Sequence, residues 1–459
     1  MTYQIRQTRR QFLKTALALA AGASPFVSFS RQFGLARAAD SSGGYKALVC
    51  VLLEGGADSF NMVVPRSVAS HSDYSTVRGD MALAADSLLD ITPTNYSDGT
   101  YYGLHPTMTR MHGLFNDSRL AIVANVGTLV QPVTAAEVAN GAPVPNQLFA
   151  HNTQRDLWMT ANAARIEKAG WAARLADLFD PGQELFNITV GGKNLMQRGG
   201  AQPAFEFDGD DIYAFDDFYS FRTDGRLGEA YRQILDLDTA HANHLVQSFA
   251  NSRIRSIRLS NALSEVFGSA QSFSFPDGVH ETGTPLGRQL EAVARMLSVR
   301  DSLPGQPKRQ VYFVNYHDWD THASPLDAES HKVDYLDKCL GAFADALETL
   351  GLTSRVTTFT ISDFGRSITP NGVGTDHGWG GHAYVMGGAV RGGDIYGAMP
   401  AIKANSPDAI SDRVVPTTSV EQYLAPIVSW FGVSDTELDS LFSNLHSFTQ
   451  NQNNLDFMA

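Results

Sequence analysis

The 459-residue chain has only two cysteines, Cys50 and Cys339. They lie far apart, one in an apolar run and one in a helical pattern. That spacing excludes a disulfide-stapled scaffold and favours two buried thiols. No apolar run approaches the roughly 20 residues needed to cross a bilayer, so no stable membrane span is expected. Internal repeats, low-complexity blocks and a proline-rich linker are also absent. The chain is short of positive charge as well. Six of its 35 basic residues (Arg6, Arg9, Arg10, Lys14, Arg31 and Arg37) fall within the first 38, a segment with no acid. The remaining 421 residues carry 29 basic against 48 acidic side chains, a net charge of −19. Such a balance disfavours binding to nucleic acid or to an anionic membrane through bulk charge.

The first 38 residues have the order of an export signal. Thr8-Arg9-Arg10-Gln11-Phe12-Leu13-Lys14 fits the twin-arginine consensus. A short apolar stretch follows from Thr15 to about Ala23, and Ala36-Arg37-Ala38 offers a small-residue cleavage site. Cleavage near Ala38 would release Ala39–Ala459 into the periplasm or beyond. The twin-arginine translocase is then a partner during export. That route generally carries folded proteins, which suits a chain that loads a cofactor in the cytoplasm first.

Residues 39–459 read as one large α/β domain. Continuous β-branched and aromatic runs occur at Ala47–Leu53, Leu120–Val126, Gln310–Tyr316, Arg355–Ile361 and Ala383–Met386. Runs of that kind suit a parallel sheet buried on both faces. Helical spacing separates them, as in Val333, Leu336, Leu340, Phe343 and Leu347, or Leu286, Leu290, Val293 and Leu297. The alternation predicts a doubly wound, mostly parallel sheet flanked by helices. The region of about 199–274 departs from it. A Gly/Asp/aromatic stretch there runs into a long helical pattern, Leu227–Phe267, and is expected to be a helical insertion or cap.

Polar clusters adjoin four of the strands: Glu54-Gly55-Gly56-Ala57-Asp58, His317-Asp318-Trp319-Asp320-Thr321-His322, Ser362-Asp363-Phe364-Gly365-Arg366, and Thr375-Asp376-His377 through His382. Ligands of open α/β sheets bind beyond the carboxyl ends of the strands. The first three clusters would converge there, and the last must reach the site from a loop. Imidazoles mixed with carboxylates suit zinc, manganese or iron rather than calcium or magnesium. Asp318 and His322 share a face if the segment is helical, and Asp320 and His322 do so if it is extended. Structural roles stay open for the same residues: Asp58 and Asp363 as helix caps or Asx-turns, His382 as a core histidine, Arg366 as a surface ion pair.

These motifs resemble a bacterial exported family called domain of unknown function 1501. The stretches that carry the resemblance are LLEGGADSFNMVVP (52–65), NQLFAHNTQRDLW (146–158), NYHDWDTH (315–322), SDFGRS (362–367), GTDHGWGGHAYVMGGAVRGG (374–393) and VSDTELDSLFSNL (433–445). The family's fold is similar to that of the alkaline phosphatase and sulfatase superfamily, whose members hydrolyse phosphate or sulfate esters with one or two metals. The resemblance implies a divalent-metal site drawn from Asp58, Asp318, His322, Asp363 and His377, with His382 in reserve. It places the nucleophile near Ala150-His151-Asn152, at a helix N-terminus. Two departures stand out. Phe364 takes a position where the superfamily has histidine, and Ala150 takes one where related sequences often have serine. His151 and Thr153 are the remaining candidates for catalysis, and Arg366 is a candidate for neutralising an anionic substrate. The implied function is an exported hydrolase of phosphate or sulfate esters on a small molecule or glycan. The alternative is a catalytically silent member that binds a glycan or protein partner at the cell surface.

Overall fold

The computed structural model describes residues 44–96, 99–165, 167–209, 211–214, 225–239, 243–278, 284–323, 326–448 and 455–459. The export signal and its cleavage site lie outside the described residues.

Strand β1 (Lys46–Leu53) is the centre of the main sheet. Its side chains alternate between two apolar layers. Val49, Val51 and Leu53 enter one core cluster, and Leu48, Cys50 and Leu52 enter another. A strand with both faces covered must be apolar throughout, which is why its sequence shows a continuous run rather than alternation. The other strands are β2 (Leu120–Gly127), β3 (Asn187–Thr189), β4 (Phe205–Glu206), β5 (Arg309–Tyr316), β6 (Val356–Ser362), β7 (Gly381–Met386), β8 (Ile395–Tyr396) and β9 (Thr418–Ser419). The spatial order is β8-β2-β7-β6-β1-β5-β3-β4, with β9 also paired to β2. Both neighbours of β1 run parallel to it. The expected mostly parallel sheet is therefore borne out, and all five long strands are found within two residues of their expected bounds. The short strands β3, β4, β8 and β9 are too brief to leave a pattern in the sequence.

Strand β7 is the exception, antiparallel to both β2 and β6. This reversal matters for the site. The start of β7 lies at the same end of the sheet as the carboxyl ends of β1, β5 and β6. The segment before β7 is delivered there directly.

Helices α1 (Val68–Arg78), α2 (His151–Thr160), α3 (Gly225–Thr239), α4 (His244–Gly268), α5 (Leu286–Ser298), α6 (Leu326–Thr349) and α7 (Val420–Phe431) cover the sheet. The long helical pattern of 227–267 is thus two helices. Leu259, Leu263 and Phe267 of α4 join the same core cluster as β1 and β5, and β4 extends the main sheet. The cysteines are buried in separate clusters, Cys50 in one layer and Cys339 in the other. No helix of the described residues is long and apolar enough to cross a membrane.

Candidate metal centre

Four segments meet at the carboxyl end of the sheet. The first is the turn after β1. Gly55 and Gly56 have φ of +119° and +86°, a region that side chains disfavour. A Cβ on Gly55 would lie 2.3 Å from the backbone nitrogen of Asp320, and one on Gly56 would lie 2.6 Å from the Phe364 ring. Close approach of the next two segments thus requires glycine at both positions.

The second segment follows β5. Trp319 N–H donates to the Glu54 carbonyl at 2.9 Å and holds this chain against the turn. Residues 317–321 are irregular rather than helical. Asp318, with φ of +70°, is exposed, whereas Asp320 and His322 enter the cluster. The third segment follows β6 and brings Asp363 and Phe364. The fourth is a hairpin, Arg366–Pro370 paired with Thr375–His377, whose register sets Arg366 opposite His377. The first turn of α2 adds His151 from across the site.

The geometry is a convergence of lone pairs. His377 Nε2 lies 2.9 Å from His151 Nε2 and 2.7 Å from His322 Nε2. The Asp320 carboxylate lies 3.5 Å, 3.4 Å and 3.2 Å from the Nε2 atoms of His151, His377 and His322. His151, Asp320 and His377 form a group able to hold a metal ion, their ligand atoms all within 4.8 Å of one another.

The opposite nitrogen of each ring is already committed. His377 Nδ1 donates to the Phe149 carbonyl at 2.7 Å. His151 Nδ1 meets Asp363 Oδ2 at 2.8 Å, and His322 Nδ1 meets Asp376 Oδ1 at 3.3 Å. These partners assign the proton of each neutral ring to Nδ1 and aim its Nε2 lone pair inward, the arrangement typical of metal-binding histidines. With the protons on Nδ1, no Nε2 carries a hydrogen, and the close Nε2–Nε2 pairs need either an added proton or a cation between them.

Electrostatics differ from ring to ring. The hydrogen bond to Asp363 is the main influence raising the affinity of His151 for a proton. Burial lowers that of His377. Burial alone would raise the Asp320 carboxyl, but its bond to Arg366 and the nearby imidazoles outweigh this and hold it below its ordinary range. Phe364 packs tilted against two rings, with centroids 4.7 Å from His151 and 4.6 Å from His377. It forms an apolar wall where a further ligand could otherwise stand.

Residues 229–427 match the family DUF1501, described as a protein of unknown function. The resemblance read from the motifs is borne out by this match. The DUF1501 match contains Asp320, His322, Asp363 and His377, while His151 and Asp58 lie before it. No curated protein matches the chain. Several solved structures are similar to it over most of its length. One is the C-terminal periplasmic domain of EcEptC from Escherichia coli in complex with Zn, 11% identical, covering 86% of this chain and 84% of that chain, with a TM-score of 0.34. Another is the lipoteichoic acid synthase LtaP from Listeria monocytogenes, 9% identical, with coverages of 87% and 74% and a TM-score of 0.35. A third is a protein in the alkaline phosphatase superfamily from Vibrio parahaemolyticus, 12% identical, with coverages of 86% and 69% and a TM-score of 0.35.

The expected site residues fall into two groups. His151, His322 and His377 converge, and Asp363 supports them through His151. Asp320 and Asp376 join them, although the motifs single out neither as a ligand. The alternation of Asp320 with His322 is the sequence signal for the first. Asp58, Asp318, His382 and Thr153 stand elsewhere. Asp58 is buried and forms an ion pair with Arg78, itself fully buried. It occupies the cap position of the short helix Ser59–Met62 without capping it. His382 is buried, accepts the Asn125 N–H at Nδ1 over 3.2 Å, and packs edge-on against Phe60. Burial drives its pKa down to about 3, so it is neutral. Thr153 donates its hydroxyl to Gln147 Oε1 at 2.6 Å. Arg366 is fully buried rather than a surface residue, and its guanidinium is spent on Asp320, Gly55 and Thr375.

Proposed function

We propose that this protein is an exported, metal-dependent hydrolase of phosphate or sulfate esters. The observation that carries this reading is the convergence of three imidazole Nε2 atoms and one carboxylate whose other faces are already tied down. His151, Asp320, His322 and His377 would hold a divalent cation. That set suits zinc, iron or manganese. When bound, such a cation supplies Lewis acidity toward an ester oxygen and lowers the pKa of water.

The chain's own groups divide the remaining tasks. Asp363 and the Phe149 carbonyl orient His151 and His377. Arg366 balances the charge of Asp320 without facing the substrate. Helix α2 begins at His151 with no side-chain cap, so its first amides and its dipole favour an anion beside the centre. Ala150, at the cap, offers no nucleophile, and the Thr153 hydroxyl is engaged with Gln147. Attack therefore falls to water. Asp363 stays the partner of His151 Nδ1 and orients that ring, whose Nε2 faces the cation and has no lone pair left for a proton.

Ala150 and Phe364 also favour a second reading, a catalytically silent module that keeps the metal and binds a ligand. One experiment separates the two. Protein purified without chelator is assayed for metal, then for turnover of aryl phosphates, phosphodiesters and aryl sulfates. Stoichiometric metal with turnover supports the hydrolase, and metal without turnover supports the binding module. A metal-free protein of full stability that gains none on adding zinc, manganese or iron would sink both.

A further inference from the structure

A cleft of about 1030 Å³ lies between α4 and the edge of the main sheet. It is at the top of the range of small-molecule pockets, about 300–1,000 Å³, and so suits a chain longer than a simple ester. A relay of side-chain contacts runs from its lining toward the metal centre. His317, in its lining, meets Glu54 Oε2 at 2.8 Å, and Glu54 forms an ion pair with Arg155. Arg155 stands one turn after His151 on α2, on the same helix face.

The lining has the chemistry of a sugar site. Ser252, Ser256 and Ser260 recur at four-residue spacing on α4 and face the cleft as one row. The Ser256 hydroxyl donates to the Ser252 carbonyl, and the Ser260 hydroxyl to the Ser256 carbonyl, both at 2.9 Å. The hydroxyl hydrogens of Ser256 and Ser260 are spent within the helix, so what these two offer the cleft is acceptor lone pairs. Opposite them stand the rings of Phe205, Phe207 and Tyr213, the last 64% exposed. Acceptors facing aromatic rings suit a pyranose, which presents hydroxyl donors at its rim and C–H groups on its face.

Charge narrows the choice. Glu206, Asp208 and Asp211 bring three carboxylates to the lining, Asp211 paired with Arg295 at 3.4 Å, against Lys193 and Arg255. Arg255 is occupied by Glu184 and by the carbonyl of Pro203. A polyanion would be repelled. A peptide strand would find a sheet edge of two residues, β4, too short to set a register. We propose that this cleft binds a neutral glycan segment, placing an ester carried by that glycan at the metal centre. The placement of the ester rests on the hydrolase reading; the binding of the glycan does not.

The test is calorimetric titration of the full chain with cellohexaose, maltohexaose, mannohexaose and chitin hexasaccharide, with heparin hexasaccharide as the polyanion. At least one neutral hexasaccharide should bind with a dissociation constant on the order of 1 mM or tighter. Ser256→Trp, on an exposed helix face, should weaken it by roughly tenfold or more without altering the circular dichroism, and Tyr213→Ala by several-fold. His377→Ala should leave sugar affinity unchanged while losing zinc. No neutral hexasaccharide binding, binding indifferent to Ser256→Trp, or preference for heparin hexasaccharide would overturn the proposal. Sugar binding in a protein that takes up no zinc would retire the hydrolase reading and leave the glycan cleft standing.

Discussion

Two groups of charged side chains lie behind the carboxyl ends of the same strands, and they solve one problem in opposite ways. In the first, His151, Asp320, His322 and His377 turn lone pairs toward a common point that is partly open to solvent. In the second, Asp58, Arg78 and Glu329 are sealed in the core, with Glu329 1% exposed. Asp58 Oδ1 and both carboxylate oxygens of Glu329 have no hydrogen-bond partner among the described residues. Burial, then the charge of Asp58, raises the Glu329 carboxyl to about 8, so it is neutral at pH 7. Arg78 also donates to the carbonyls of Ser367 and Ile368, which anchors it to the site's hairpin. A buried carboxylate needs a compensating cation. The sealed group has one in Arg78; in the open group Arg366 pairs with Asp320, while three imidazole nitrogens still face one another. Residue type alone therefore does not mark a ligand. Asp58 is acidic, follows β1 and sits beside the site, yet its charge is already balanced.

The sharpest way to break this comparison is to remove the internal cation. Arg78→Met should cost about 3–5 kcal/mol in chemical denaturation, because it strands Asp58 in the core. Asp58→Asn in the same background should recover part of that loss. If Arg78→Met is nearly neutral, the sealed cluster is not what balances Asp58.

Metal should matter almost as much to the open group. At a free zinc concentration a thousand times the dissociation constant, wild type should gain about 4 kcal/mol over the apo-protein. His377→Ala and His151→Ala should lose that gain. Asp320→Asn should lose it too, and its apo form should be less stable than apo wild type, because the buried Arg366 loses its carboxylate partner. An equal zinc-dependent shift in wild type and His377→Ala would show that the metal binds elsewhere.

A smaller effect should appear in the pH dependence of stability. The folded protein keeps a proton on Glu329 up to about pH 8, whereas the unfolded chain releases it near the ordinary value of 4.5. Between those values the folded state binds the extra proton, so this group makes stability fall as pH rises, by roughly 1 kcal/mol per pH unit. Glu329→Gln should flatten that slope. His382 works at the acid end with the opposite sign. It is neutral in the fold down to about pH 3, while the unfolded chain takes a proton below about 6.5. Stability is lost as pH falls through that window, and His382→Gln should reduce the loss. An unchanged profile in either variant would contradict the assigned burial effect.

The smallest effect belongs to Asp318, exposed on its loop. Asp318→Asn keeps a side chain that tolerates positive φ and should change stability by under about 0.5 kcal/mol. Its zinc stoichiometry should equal that of wild type. A loss of zinc would restore Asp318 to the ligand set at the expense of Asp320.

Strand identity is legible in the sequence because a strand covered on both faces must be a continuous apolar run, as in Leu48 to Leu53 and Val311 to Tyr316. The two long core helices before β5 and β6 are legible for the same reason, through apolar residues at helical spacing. The clusters that hold His322 and His377 are legible because imidazole and carboxylate recur together after several strands, and the resemblance picks these two histidines from them. The choice of Asp318 over Asp320 comes from the family resemblance, and the backbone after β5 makes no helical turn to set Asp318 beside His322. Glu329 and Arg78 leave no signal at all, since a lone Glu at the start of a helix and a lone Arg at the end of another normally face water.

By itself, the sequence determined which segments become strands and helices, and which strand ends carry chemistry-bearing residues. Both follow from local periodicity and composition. Tertiary structure alone decided which of those residues meet. The antiparallel run of β7 carries His377 to the right end of the sheet, the two glycines after β1 let Asp320 and Phe364 close in, and α2 brings His151 from a distant part of the chain. The same packing brought Arg78 to Asp58 and so removed a plausible ligand from the site. Charge compensation is a property of atoms a few ångströms apart, and that distance is set by the fold.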